Sequence, residues 1–198
     1  MTRFQSAAAL SLLLSLIGLA GCQDAPTLQL DPLSVETAGG AGTWYLYAHQ
    51  FDRAVKHLED AVELDPNNAL YLGNLGLAHV LTGAVTEGLE ELERAAKASG
   101  SPGALSDLAY AYVKAGRPED AQRLLTRLLA GDEEQRLNST TIAAIYASLG
   151  DAEKSLDWLE RAYAEGSGNL AGIRSDFPFE NLRENPRFRS LLKKMNLS

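Results

Sequence analysis

The sequence predicts an all-α solenoid, about four helix pairs closed by a C-terminal capping helix, and three observations carry that reading. The first is a period. Gly83 and Gly116 stand 33 residues apart and Gly116 and Gly150 stand 34 apart, the spacing of a unit that is one pair of short helices and buries its apolar face only against its neighbours. The second is what recurs inside the period: a small residue seven before each glycine (Gly76, Ala109, Ala143) and a ring four before it (His79, Tyr112, Tyr146). Small residues let helix axes approach, and larger ones fill the space between pairs. The third is apolar spacing of three and four residues, as in Leu72 and Leu75, then Val85, Leu89 and Leu92, which is the stripe of an amphipathic helix.

In chain order, Met1-Thr2-Arg3 opens an uncharged run from Phe4 to Gly21. One basic residue, an apolar core from about Ala7 to Leu19 and a small-residue exit have the proportions of a secretion signal over residues 1–21, whereas a membrane span needs ~20 apolar residues and no cleavage site. Leu19-Ala20-Gly21-Cys22 resembles the lipobox of bacterial lipoproteins. That resemblance implies removal of the signal before Cys22, a diacylglyceryl group on its thiol and a new N-terminus acylated by a fatty acid such as palmitate, and so an anchored protein, since two or more chains hold stably. Gln23 in place of an aspartate implies, by the same likeness, the outer membrane facing the periplasm. Cys22 is the single cysteine, so no disulfide forms within the chain.

Residues 22–36 hold Pro26 and Asp31-Pro32 without a helical period and serve as a tether. Helical repeats follow over 37–169, dividing at about 35–68, 69–101, 102–135 and 136–169. The first begins poorly: Ala38-Gly39-Gly40-Ala41-Gly42 sets three glycines in one turn, at roughly 1 kcal/mol each relative to alanine, so its first helix is expected to fray or to start near Thr43. Trp44, Leu46, Ala54, Val55 and Leu58 then form an apolar stripe. In the third pair Ser101-Pro102 opens a helix, with proline where its missing N–H costs least, and in the fourth Asn138 or Ser139 is the expected cap. Residues 170–198 leave the period. Phe177, Phe179, Leu182, Phe188, Leu191, Leu192 and Met195 are suited to cover the face that no further repeat buries.

The pattern Leu75-Gly76, the rings Tyr45, Tyr112 and Tyr146, the inter-helix alanines Ala54 and Ala121, the later alanines Ala61, Ala95 and Ala162, and Pro66 resemble the tetratricopeptide repeat (TPR) family over roughly residues 35–169. Gly88 and Ser155 depart from it at the inter-helix alanine, and His79 at the tyrosine. The resemblance implies a non-enzymatic scaffold that binds a protein or peptide in a concave groove lined by the first helix of each pair.

Helical spacing nominates Tyr47, Leu77, Val80, Tyr110, Val113 and Lys114 as partner-binding residues of that groove, with Ser106, Thr140 and Ala144 among their neighbours. Tyr110, lying between Leu108 and Tyr112, is expected to stand clear of the helix-pair core and to act as an anchor. Lys114 stands alone, so the basic clamp with which some family members hold a terminal carboxylate is missing. The tail basics Arg183, Arg187, Arg189, Lys193 and Lys194 form one positive cluster, read as a solvated cap.

Charge and motifs exclude several functions. The chain carries 18 Lys and Arg against 26 Asp and Glu, a sign that gains nothing from phosphate neutralisation, so nucleic acid is not an expected partner. His49, His57 and His79 lack metal-ligand spacing, no nucleophile elbow or phosphate-cradling loop occurs, and no metal, cofactor or catalytic residue is expected. Two classes of function remain. The first is a lipid-tethered adaptor for envelope, pilus or secretion-complex assembly; the second is an exported enzyme or small-ligand-binding protein, which a cluster of inward-facing acids or histidines would mark. No such cluster is legible in the sequence. The partner's identity and the oligomeric state are not legible either.

Overall fold

The computed structural model describes residues 34–130 and 139–197; the signal, Cys22, nearly all of the tether and the proposed Asn138 cap lie outside the described residues. Four antiparallel pairs follow one another: α1 (Val35–Tyr47) with α2 (Phe51–Leu64), α3 (Ala69–Thr82) with α4 (Val85–Ser99), α5 (Pro102–Lys114) with α6 (Pro118–Ala130), and α7 (Ser139–Ser148) with α8 (Ala152–Ala164). Two 3-10 turns, Gly168–Gly172 and Phe177–Leu182, and α9 (Pro186–Lys194) complete the chain. Helix starts have local causes. Ser34, Asn68, Ser101 and Asp151 each accept a hydrogen bond from the backbone N–H three residues on, between 3.1 and 3.3 Å, which satisfies a donor that the first turn leaves open. The periodic glycines stop the first helices, since Gly83, Gly116 and Gly150 have φ of 96°, 70° and 83°, a left-handed conformation that side chains resist.

The glycine-rich start corrects the expected fraying. Helix α1 runs unbroken from its Ser34 cap, because tertiary contact outweighs the propensity cost. A Cβ on Gly39 would lie 2.3 Å from the Tyr71 ring, and one on Gly42 would lie 2.5 Å from Leu58 Cγ. The glycines therefore admit α2 and α3 close to α1. Thr43 Oγ1 donates to the Gly39 carbonyl at 2.8 Å and receives Asn74 Nδ2 from α3 at 2.8 Å. Trp44 is corrected too: it is 63% exposed and outside the stripe, while Leu46 is fully buried.

Two departures at the inter-helix position find physical reasons. At the α3–α4 crossing a Cβ on Gly88 would meet the Gly76 carbonyl oxygen at 2.4 Å, so these backbones touch where the first and third pairs keep Ala54 and Ala121. In the fourth pair Ser155, fully buried, donates its hydroxyl to the Ala143 carbonyl at 2.8 Å, which satisfies the polar group within α7 and α8. His79, in place of a tyrosine, joins α3 to α4 through Glu91, Nδ1 to Oε2 at 2.7 Å.

Consecutive first helices α1, α3, α5 and α7 lie side by side and share one face. The tail both closes the last pair and enters that face. Phe179, Leu182, Phe188 and Leu191 join Leu156, Leu159 and Ala162 in one buried cluster, and Arg187 holds α9 to α8 through Glu153, Asp157 and Glu160 at 2.8–3.0 Å. The Phe177–Leu182 turn reaches the other way. Phe177 sits among the rings of Tyr47, His49 and Phe51, with centroids 5.5–6.1 Å apart, and belongs to the core that runs from the first pair to Ile142 and Ile145 of α7. Asn181 Nδ2 donates to the Ala147 carbonyl at 2.9 Å on the way.

Candidate binding pocket

Between the first helices and the incoming tail a cavity of about 330 Å³ remains. Its walls come from five elements: Tyr47 at the end of α1, Leu77 of α3, Pro102, Gly103, Ser106 and Asp107 of α5, Thr140, Thr141 and Ala144 of α7, and Asp176 to Phe179 of the tail. The Ser101 cap and Pro102 fix the start of α5, which brings Asp107, a turn further on, to the cavity. Phe177 is anchored by the ring cluster at the end of α1, and that anchoring brings Asp176 to the same space.

The electrostatics follow from enclosure and like charge. Burial, then the neighbouring Asp176, pushes the Asp107 carboxyl up from 3.8 to about 7, because a carboxylate loses hydration and faces a second negative charge. Burial raises Asp176 as well. Burial and both carboxylates push the Tyr47 phenol up to about 12. Among the described residues neither Asp107 nor Asp176 pairs with a cation; Lys114, the basic residue of α5, bonds to Glu180 instead, Nζ to Oε1 at 3.2 Å. Thr140, 7% exposed, carries a buried Oγ1 without a hydrogen-bond partner. The pocket is thus acidic, with Tyr47 and Phe177 among its walls. No three His, Cys, Asp or Glu side chains converge as metal ligands among the described residues.

Two models of the tetratricopeptide repeat family match this chain, over residues 40–104 and 83–140. The chain carries tetratricopeptide repeats. Among solved structures it is similar to MamA protein (20% identity, 82% of this chain and 92% of that one, TM-score 0.44), to a MamA structure designated AMB-1 (22%, 83% and 93%, 0.45) and to YrrB, described as a TPR protein with an unusual peptide-binding site (17%, 85% and 88%, 0.46). No curated protein matches it.

On this TPR scaffold the nominated residues divide. Tyr47, 45% exposed, and the buried Leu77 meet at the pocket, with Ser106, Thr140 and Ala144. Val80 is buried in the core and Val113 packs against it, half-buried. Tyr110 is a correction: it is 4% exposed and part of the core, with its hydroxyl donating to Glu180 Oε1 at 3.3 Å. It does face inward, but the tail covers it. Lys114 bonds to Glu180 as well, Nζ to Oε1 at 3.2 Å. The expected absence of inward-facing acids is overturned by Asp107 and Asp176 lining one cavity. Asp107 was within reach of helical spacing, three residues before Tyr110 and seven before Lys114 on one face of α5; Asp176 lies in the aperiodic tail, where no spacing places it. Cys22 lies outside the described residues.

Proposed function

We propose that the protein is a non-enzymatic adaptor, tethered by lipid on Cys22 to the periplasmic side of the outer membrane, that holds a segment of another protein in the face formed by α1, α3, α5 and α7. It would serve the assembly of an envelope, pilus or secretion complex. The observation that carries the reading is the open pocket on that face, where the half-exposed Tyr47 stands beside buried apolar walls; aromatic anchors beside apolar clefts are how repeat grooves grip extended or helical segments. The remainder of the face is occupied by the chain's own tail, so capture is assigned to the Tyr47 and Leu77 end rather than to Tyr110, Val113 and Lys114. Crosslinking the full chain in its own envelope, followed by mass spectrometry, tests this. Tyr47→Ala should remove the adducts while the protein still melts cooperatively, at a temperature lowered by loss of the Phe177 stack; undiminished adducts would contradict the assignment. Cys22→Ala should abolish labelling by a fatty-acid analogue, and equal labelling of the variant would refute the tether.

A second reading, a small-ligand-binding protein, is favoured by one observation, the carboxylates of Asp107 and Asp176 lining the same pocket.

A further inference from the structure

We infer that the pocket receives a guanidinium or ammonium head on an apolar stem, as an arginine or lysine side chain of the held segment presents it. The inference rests on the adaptor reading and names the chemistry of its partner.

Four observations converge on such a group. Asp107 and Asp176 both line the cavity and have no cationic partner among the described residues, although a carboxylate removed from water is retained chiefly where a charge or donors meet it. Thr140, on the same wall, is nine-tenths buried and its hydroxyl has no hydrogen-bond partner. Tyr47, 45% exposed, stacks on the buried Phe177 with centroids 6.1 Å apart; an exposed aromatic ring attracts a cation and covers the methylenes behind it. The volume of about 330 Å³ falls at the low end for ligand sites, roughly 300–1,000 Å³, a space for one long side chain.

Competing occupants fit less well. A metal ion would need at least a third ligand, and none converges among the described residues. An apolar side chain would strip water from two carboxylates and leave them unpaired. Guanidinium is the better of the two heads, because its planar donors span two acceptors at once. Tyr47 is 45% exposed, so the mouth opens on the groove and a head can enter while the rest of a chain stays outside. The net charge of −8 favours encounter with a basic segment.

The test uses the full-length chain in detergent against an immobilised library of short peptides, each arginine peptide matched by a citrulline twin that keeps the shape and removes the charge. Agmatine, a free guanidinium amine, is titrated in parallel. Arginine peptides should bind roughly tenfold or more tightly than their twins, and Asp107→Asn combined with Asp176→Asn should shrink that ratio to about twofold or less. The double variant should melt no lower than the parent, since it removes a repulsion, and this shows it folded. Equal binding of arginine and citrulline peptides overturns the inference and leaves the adaptor reading standing. Binding of agmatine with no peptide bound overturns the protein source and the adaptor reading together, in favour of a small-amine binder. Binding of neither overturns both.

Discussion

Asp107 is a carboxyl that the fold penalises for ionising. Its value rises from 3.8 to about 7 on folding, so the folded state holds the proton more tightly than the unfolded chain does. The sign follows: below about pH 4 both states are protonated and nothing is lost, between pH 4 and 7 stability falls as pH rises, and above 7 the full cost stands. At 1.36 kcal/mol per pK unit that cost is at most about 4 kcal/mol. Asp107→Asn should therefore melt higher than the parent at pH 8 and equal it near pH 4, with Asp176 and Tyr47 as the titrating groups that share its pocket. Scanning calorimetry at the two pH values checks this, and a lower melting temperature at pH 8 would assign Asp107 a structural bond instead. Tyr110 makes the opposite case. Its burial predicts that Tyr110→Ala costs about 3–5 kcal/mol, as loss of a large core aromatic does, while Tyr110→Phe loses only the bond to Glu180, about 1 kcal/mol. Denaturant melts of the two variants check the ratio. Spacing along α5 places Tyr110 on the groove side, clear of the core, and the structure buries it. Spacing did not tell that a segment some seventy residues later would lie on top of it, because that segment has no period to extrapolate.

The helix pairs were the most legible level. Glycines at the turns, small residues at the crossings and rings between pairs are local demands of a stacked unit, and each leaves its mark at a fixed offset. Propensity alone misjudges a glycine where two helices cross closely. Gly39 and Gly42 cost helix stability in isolation, yet Tyr71 and Leu58 occupy the space that side chains would need. Gly88 repeats the lesson. Gly88→Ala gains up to about 1 kcal/mol of propensity but drives a methyl against the Gly76 carbonyl at 2.4 Å, so the net effect should be a loss of about 1–3 kcal/mol from a forced shift of α4. A urea melt reads it directly, and a gain in stability would show that the crossing relaxes freely. The tail was legible by composition, not by path. Its aromatics announce a cover, and Phe188 and Leu191 do cover α8, but Phe177 and Asp176 travel on to α1 and build the pocket. Deleting residues 176–198 should lower the melting temperature sharply, because it uncovers Leu156 and Leu159 at one end and removes Phe177 from the other. An unchanged melt would mean that the tail contributes nothing to the fold.

For the whole molecule, a row of first helices makes a face, and the chain's own C-terminal segment fills part of it and leaves an acidic recess at the α1 end. The acidic charge, the unpaired carboxylates and the aromatic mouth favour a basic segment. The scaffold and its inward face could be read from the repeat, but the charge of the recess could not, since it needs two residues that only the folded tail brings together. The most direct test of the central claim places a photo-reactive phenylalanine analogue at Tyr47 or at the exposed Glu90 of α4 in the full-length protein within its own envelope. Discrete crosslinked partners are expected from position 47 and none from position 90. Adducts from position 90 alone would contradict it.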